Sequence, residues 1–209
     1  RHTLAAHEIP ALFSSVAENA DTESDDHEAF ETADGAPINV YATPLYLWEM
    51  KTGRHLPAPR ARPSVWHQIK YGVIAHAAET HGLRWRKANG PSLHPERAYL
   101  SSRIDAEVSE DGVTWVGATA HNVAGHMAHT WKNHLGERAA PDHIYLQAHH
   151  HMAVRGEDRH IVIAFIGGST PQIFPIDWDP ELGADLFDAT ASFWDAVEQK
   201  RQPDPIGDK

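Results

Sequence analysis

The chain has 209 residues, 41% of them apolar and 22% charged, with Cys 0 and a formal net charge of -11. This length allows one domain with a substantial core, and near-average apolar and charged shares exclude a disordered or fibrous protein. Without cysteine there is no disulfide framework, thiolate zinc site or cysteine nucleophile. No run approaches the roughly 18 apolar residues of a membrane helix. The expectation is a single cytoplasmic domain over residues 1–209, with no signal segment and no membrane contact.

Charge is spread unevenly. Residues 1–50 hold one basic and ten acidic side chains, residues 51–103 ten basic and two acidic, and residues 104–209 seven basic and seventeen acidic. A basic middle third in an acidic chain is the pattern of a polyanion site, and equally that of a solvated loop. Trp48, Trp66 and Trp85 interleave it, as a nucleic-acid groove would have them. The 17 histidines are compatible with metal sites, a pH switch or mere sequence drift. None has strong zinc spacing: His76-Ala-Ala-Glu79-Thr-His81 is not H-E-x-x-H, and His121, His126 and His129 follow no ligand pattern. His149, His150 and His151 would face three directions on a helix.

In chain order, residues 4–14 read as a short helix and the acid-rich residues 19–37 as a mobile loop. Thr43-Pro44 starts a helix that stops at Gly53. Pro57, Pro59 and Pro63 mark a linker, and residues 64–81 a second helix ending at Gly82. Residues 98–108 and 114–120 form a hairpin about Glu110-Asp111-Gly112. A helix over 144–153 follows, then a nearly all-apolar strand at 161–166, whose pattern implies burial on both faces. A strand at 172–176, a helix over 180–201 and a flexible tail from about 202 complete an α/β (α+β) arrangement, with helices flanking a mixed central β-sheet.

Several ordered segments resemble the YqaJ-type viral recombinase family, phage-lambda-type exonucleases within the PD-(D/E)XK nucleases. They are Leu4-Ala5-Ala6-His7-Glu8-Ile9-Pro10, Thr43-Pro44-Leu45-Tyr46-Leu47-Trp48-Glu49-Met50-Lys51-Thr52-Gly53, Arg103-Ile104-Asp105, Tyr145-Leu146-Gln147-Ala148-His149-His150-His151-Met152-Ala153-Val154, and Ile163-Ala164-Phe165-Ile166-Gly167-Gly168. The resemblance implies a restriction-endonuclease-like fold and a Mg2+- (or Mn2+-) dependent deoxyribonuclease that digests linear double-stranded DNA from its ends. It also implies a phage single-strand annealing protein as partner, and a homotrimer. It puts the catalytic aspartate at Asp105, with Gln147 on the helix that follows the hairpin.

Where the family has E-x-K, 14 residues after its aspartate, this chain reads Thr119-Ala120-His121. A threonine supplies no carboxylate to a hard cation. The family's upstream glutamate falls near residue 70 or 76, which here are Lys70 and His76. Three readings follow. In an active nuclease, Asp105 is kept and Glu79, Glu107 or a histidine (His76 or His121) replaces the lost ligands, with Asp105, His76 and Glu79 holding the metal and Thr119, His121 and Gln147 catalytic beside Asp105. In a catalytically impaired nuclease-fold protein the basic middle third still holds DNA ends, and under either of these two readings Lys51, Arg54, Lys70 and Gln147 contact phosphates. The third is a histidine-rich metal-binding or pH-responsive protein.

Overall fold

The computed structural model describes residues 3–13, 30–31, 37–38, 43–54 and 65–203. In chain order the elements are β1 (Leu4–Ala5), a 3-10 helix (Ala6–Leu12), β2 (Phe30–Glu31), β3 (Pro37–Ile38), α1 (Pro44–Lys51), α2 (Val65–Thr80), β4 (Arg84–Lys87), β5 (Ser92–Leu93), β6 (Leu100–Ser102), β7 (Ala106–Ser109), β8 (Val116–Val123), a second 3-10 helix (Gly125–Trp131), α3 (Asp142–Arg155), β9 (Arg159–Ile166), β10 (Gln172–Asp177) and α4 (Pro180–Glu198). Apart from the β2–β3 pairing, the expected acidic loop lies outside the described residues, as do the proline linker and residues 204–209.

The apolar run at 161–166 is β9, buried because helices cover both of its faces. Side chains alternate across a strand. Ile161 and Ile163 pack with Trp66, Val73, Ile74 and Ala77 of α2, while Val162, Ala164 and Ile166 pack with Ile144, Ala148 and Met152 of α3. β9 runs parallel to β8 and antiparallel to β10, in a mixed sheet ordered β10-β9-β8-β7-β4. A second mixed sheet is ordered β1-β6-β5. Beside it, Leu4, Ile9, Trp48, Leu100, Leu186 and Phe193 form a third apolar cluster. Trp48 is fully buried and its indole Nε1 donates to Ala196 O at 3.1 Å, fixing α1 on α4. Truncating such a tryptophan costs about 3–5 kcal/mol.

Local signals set the helix ends. Thr43 Oγ1 accepts from Tyr46 N at 3.2 Å with Pro44 in the first turn of α1. Asp179 caps α4 through the amides of Glu181 and Leu182, and α3 stops at Gly156, whose φ of 66° suits glycine.

Two expected elements differ, and the strand β4 was not expected. The single strand over 98–108 is two strands in different sheets. β6 pairs with β1 and β5, and the chain then crosses over Arg103-Ile104-Asp105, where Asp105 N donates to Ala118 O at 3.0 Å, and enters the β7–β8 hairpin. The helix over 4–14 is instead β1, paired with β6, followed by a 3-10 helix that contains Pro10, a residue with no N–H for a helical ladder. β4 has no apolar signal because Arg84-Trp85-Arg86-Lys87 is an edge strand presenting cations to water. Among the described residues, no helix is long and apolar enough to cross a membrane.

Candidate functional site

Asp105 sits at the crossover between the two mixed sheets, and α2 meets it with a lysine. The stem of Lys70 is buried on the same helix as Trp66, Val73 and Ile74. Its Nζ lies 2.5 Å from Asp105 Oδ1, with the two side chains only 9% and 14% exposed. The other oxygen, Oδ2, accepts from Ala120 N at 2.9 Å. Both oxygens of the carboxylate therefore have partners within the chain, and its charge is balanced by an ammonium group. The end of β4 abuts the same spot: Ala88 N donates to Asp105 O at 3.2 Å, and the amines of Lys70 and Lys87 stand 5.6 and 4.7 Å from the centre of the Tyr71 ring.

Residues 119 and 121 project the other way. Ala118 and Ala120 belong to the cluster facing α2, so strand alternation directs Thr119 and His121 towards α3. Thr119 Oγ1 lies 3.1 Å from His160 Nε2 and 3.3 Å from His121 Nε2. A hydroxyl has one proton and two lone pairs, so at most one of the two imidazoles accepts from it. His160 stacks on His151 with ring centres 5.1 Å apart, His151 Nδ1 is 2.8 Å from Ser102 Oγ, and His150 Nε2 donates to Ser101 O at 2.8 Å. Burial disfavours the charged form of each ring. It lowers His160 to about 3 and His121 and His150 to about 4, with Asp105 partly opposing the shift at His121. Burial, followed by the neighbouring His160, holds His151 well below the usual value.

The other expected site residues are distributed as follows. Gln147 lies on α3 one turn from His143 and from His151, with its Nε2 buried and lacking a hydrogen-bond partner. Lys51 Nζ binds Thr3 O and Glu8 Oε1, each at 2.6 Å, and so ties α1 to the first 3-10 helix. Arg54 is exposed and lies 4.4 Å over Trp48. His76 and Glu79 are exposed, six and nine residues beyond Lys70 on α2. That is about 9 and 13 Å along the helix axis, so they are not brought to Asp105. Glu107 is held by Arg155 at 2.7 Å and Arg86 at 2.6 Å. Burial pushes its carboxyl up, but the bonds to Arg155 and Arg86 outweigh this and hold it low. Sequence reasoning assigned Lys70 and Asp105 separate roles and passed over His151, His160 and Ser102, whose partnership depends on β6, β8, β9 and α3 meeting in space.

A hard divalent cation needs about six oxygen ligands, usually including free carboxylate oxygens and water. Asp105 offers none that is free, its neighbour is a cation, and the hydroxyl and imidazoles lie on the opposite face of β8. Among the described residues, no group of three or more histidine, aspartate or glutamate side chains is arranged to hold a metal ion. The residues present do not fit a magnesium or manganese centre.

No family model and no curated protein matches the chain. Solved structures do share its fold, which is that of nuclease-fold exonucleases. The chain is similar to an alkaline exonuclease (LHK-Exo) from Laribacter hongkongensis at 12% identity, covering 95% of this chain and 89% of that one, with a TM-score of 0.63. The same exonuclease in complex with dAMP matches at 13% identity and a TM-score of 0.63, over the same shares of both chains. A phage-related exonuclease from Haemophilus somnus 129PT matches at 11% identity over 96% of both chains, with a TM-score of 0.59.

Proposed function

We propose that this chain is a nuclease-fold protein that holds the end of a DNA duplex and does not cleave it through a magnesium or manganese centre. The observation that carries the reading is the Lys70–Asp105 pair, closed on its second oxygen by Ala120 N–H. An ammonium group balances the carboxylate charge but does not coordinate and acidify a water to give a hydroxide nucleophile, which is what a catalytic cation would contribute. The shared fold supports the nuclease ancestry. Exposed cations support the DNA ligand: Arg84 and Lys87 lie along the edge strand β4, which ends beside Asp105, and Arg103 lies on the crossover, whereas Arg86 is paired with Glu107. Cations of this kind bind phosphates without regard to sequence and release counterions in doing so. Lys51 is outside this surface because Glu8 holds it, and Lys70 acts through its pair with Asp105.

The test uses end-labelled linear duplex with Mg2+, then Mn2+, and fluorescence anisotropy of the same duplex in EDTA. The expected result is intact DNA and binding that weakens with salt, ignores EDTA and is reduced in Arg84→Ala/Lys87→Ala. Divalent-dependent digestion that is lost in Asp105→Asn overturns the proposal.

A further inference from the structure

Three histidines hold the strands that present Asp105. β6, which ends three residues before it, is tied to α3 twice: by His150 Nε2 to Ser101 O and by His151 Nδ1 to Ser102 Oγ, both at 2.8 Å. β8, whose Ala120 N–H caps the carboxylate, is tied to β9 through Thr119 Oγ1 and His160 Nε2 at 3.1 Å. A protonated ring can still donate along each of these ties, so the cost of a proton falls on the ring's other nitrogen. The Nδ1 atoms of His150 and His160 are buried and have no hydrogen-bond partner, so a proton on either becomes an N–H with no acceptor. His151 and His160 stack 5.1 Å apart, where two charges would repel out of reach of water.

The surroundings reinforce this. His150 faces His94, and His7 and Glu8 of the first 3-10 helix. Glu8 is its one attractive neighbour among these and is already bound by Lys51. His151 faces His150, His160, His121 and Arg155, and His160 faces His121, His149 and Arg155; Glu157, whose Oε2 flanks Gly117 together with His160 Nδ1, is already bound by Arg155 and Gly117 N.

We propose that His150 and His151, with His160 stacked on His151, form a proton-operated latch: a proton taken up by His150 or His151, or by His160 against His151, frees β6 and the Asp105 crossover from α3 while the β8–β9–β10 core stays paired. Acid thereby dismantles the DNA-holding site before it unfolds the domain. The consequence for DNA rests on the function proposed above, whereas the latch is a property of the free chain. The opening is local because β9 is anchored independently, through its register with β8 from Gly117↔His160 to Val123↔Ile166 and by apolar packing on both faces.

Hydrogen exchange of the full chain, followed by mass spectrometry from pH 7.5 to 5.0 and corrected for intrinsic rates, tests the latch. Residues 98–106 should lose protection at a higher pH than residues 161–166, and His150→Gln/His160→Gln should lower that pH by about half a unit or more. Simultaneous loss in both segments overturns the latch, as does an unshifted midpoint in a variant that is folded at pH 7.5. If the variants do not fold, imidazole carbon shifts of the native chain decide. Rings titrating in step with the loss support the latch, and rings titrating freely before it overturn it. A chain that shows the latch but binds no duplex at pH 7.5 refutes the DNA reading and leaves the latch standing.

Discussion

Lowering the pH from 7.5 to 5.0 should remove a large share of this protein's stability. His121 and His150 titrate at about 4 and His160 at about 3 in the fold, against an ordinary value of 6.5. The unfolded chain therefore binds protons that the folded chain refuses. Stability is fully present above about pH 6.5, falls as the pH drops below it, and goes on falling until the folded values near 4 and 3 are reached. At pH 5.0 the gap of about 1.5 units amounts to about 2 kcal/mol for each buried ring, or about 6 kcal/mol for the three. His151 adds to the loss in the same direction. Domains are stable by only about 5–15 kcal/mol, and 1 kcal/mol moves Tm by about 2–4 °C at this size. Urea and thermal unfolding followed by circular dichroism at pH 7.5, 6.0 and 5.0 should show a fall in Tm of more than about 10 °C. Equal midpoints at pH 7.5 and 5.0 would refute the claim that these histidines are buried as neutral rings.

Three substitutions probe the same architecture by urea unfolding. Lys70→Met leaves the Asp105 carboxylate buried without its cation and should cost about 3 kcal/mol, most of it regained in Lys70→Met/Asp105→Leu, because replacing a whole buried pair is often close to neutral. An additive double variant would mean that the pair is not coupled. Arg155→Ala frees Glu107 and Glu157, the latter also accepting from Gly117 N at 2.9 Å, and should cost about 2–4 kcal/mol; an unchanged midpoint would count against that network. Gly183→Ala drives a methyl group into the Trp178 ring and should cost about 1–3 kcal/mol; an unchanged midpoint would count against that close packing.

Much of the fold was legible because its signals are local. The Thr43-Pro44 start of α1, the Glu110-Asp111-Gly112 turn and the all-apolar β9 each state their structure within a few residues. β4 was not legible, since an edge strand carrying Arg84, Arg86 and Lys87 has no apolar alternation to read. Nor was the break at Asp105, because residues 98–108 look like one strand until they are seen pairing with two sheets. The adjacency of Asp105 to residues 119–121 followed from the hairpin. The charge pairing with Lys70 did not, because it depends on how α2 crosses that hairpin 35 residues upstream. The basic middle third, read from charge alone, is only partly a surface: Lys51 and Lys70 are committed to Glu8 and Asp105, while Arg84, Lys87 and Arg103 remain exposed.

The central claim is that Lys70 stands where a cation would be needed, so Asp105 binds no divalent ion. Electron paramagnetic resonance of free Mn2+, titrated into the native chain and into Asp105→Asn, measures this without reference to DNA or activity. The account predicts the same free Mn2+ signal with either protein at every concentration. One equivalent of Mn2+ bound by the native chain and released by Asp105→Asn would contradict it.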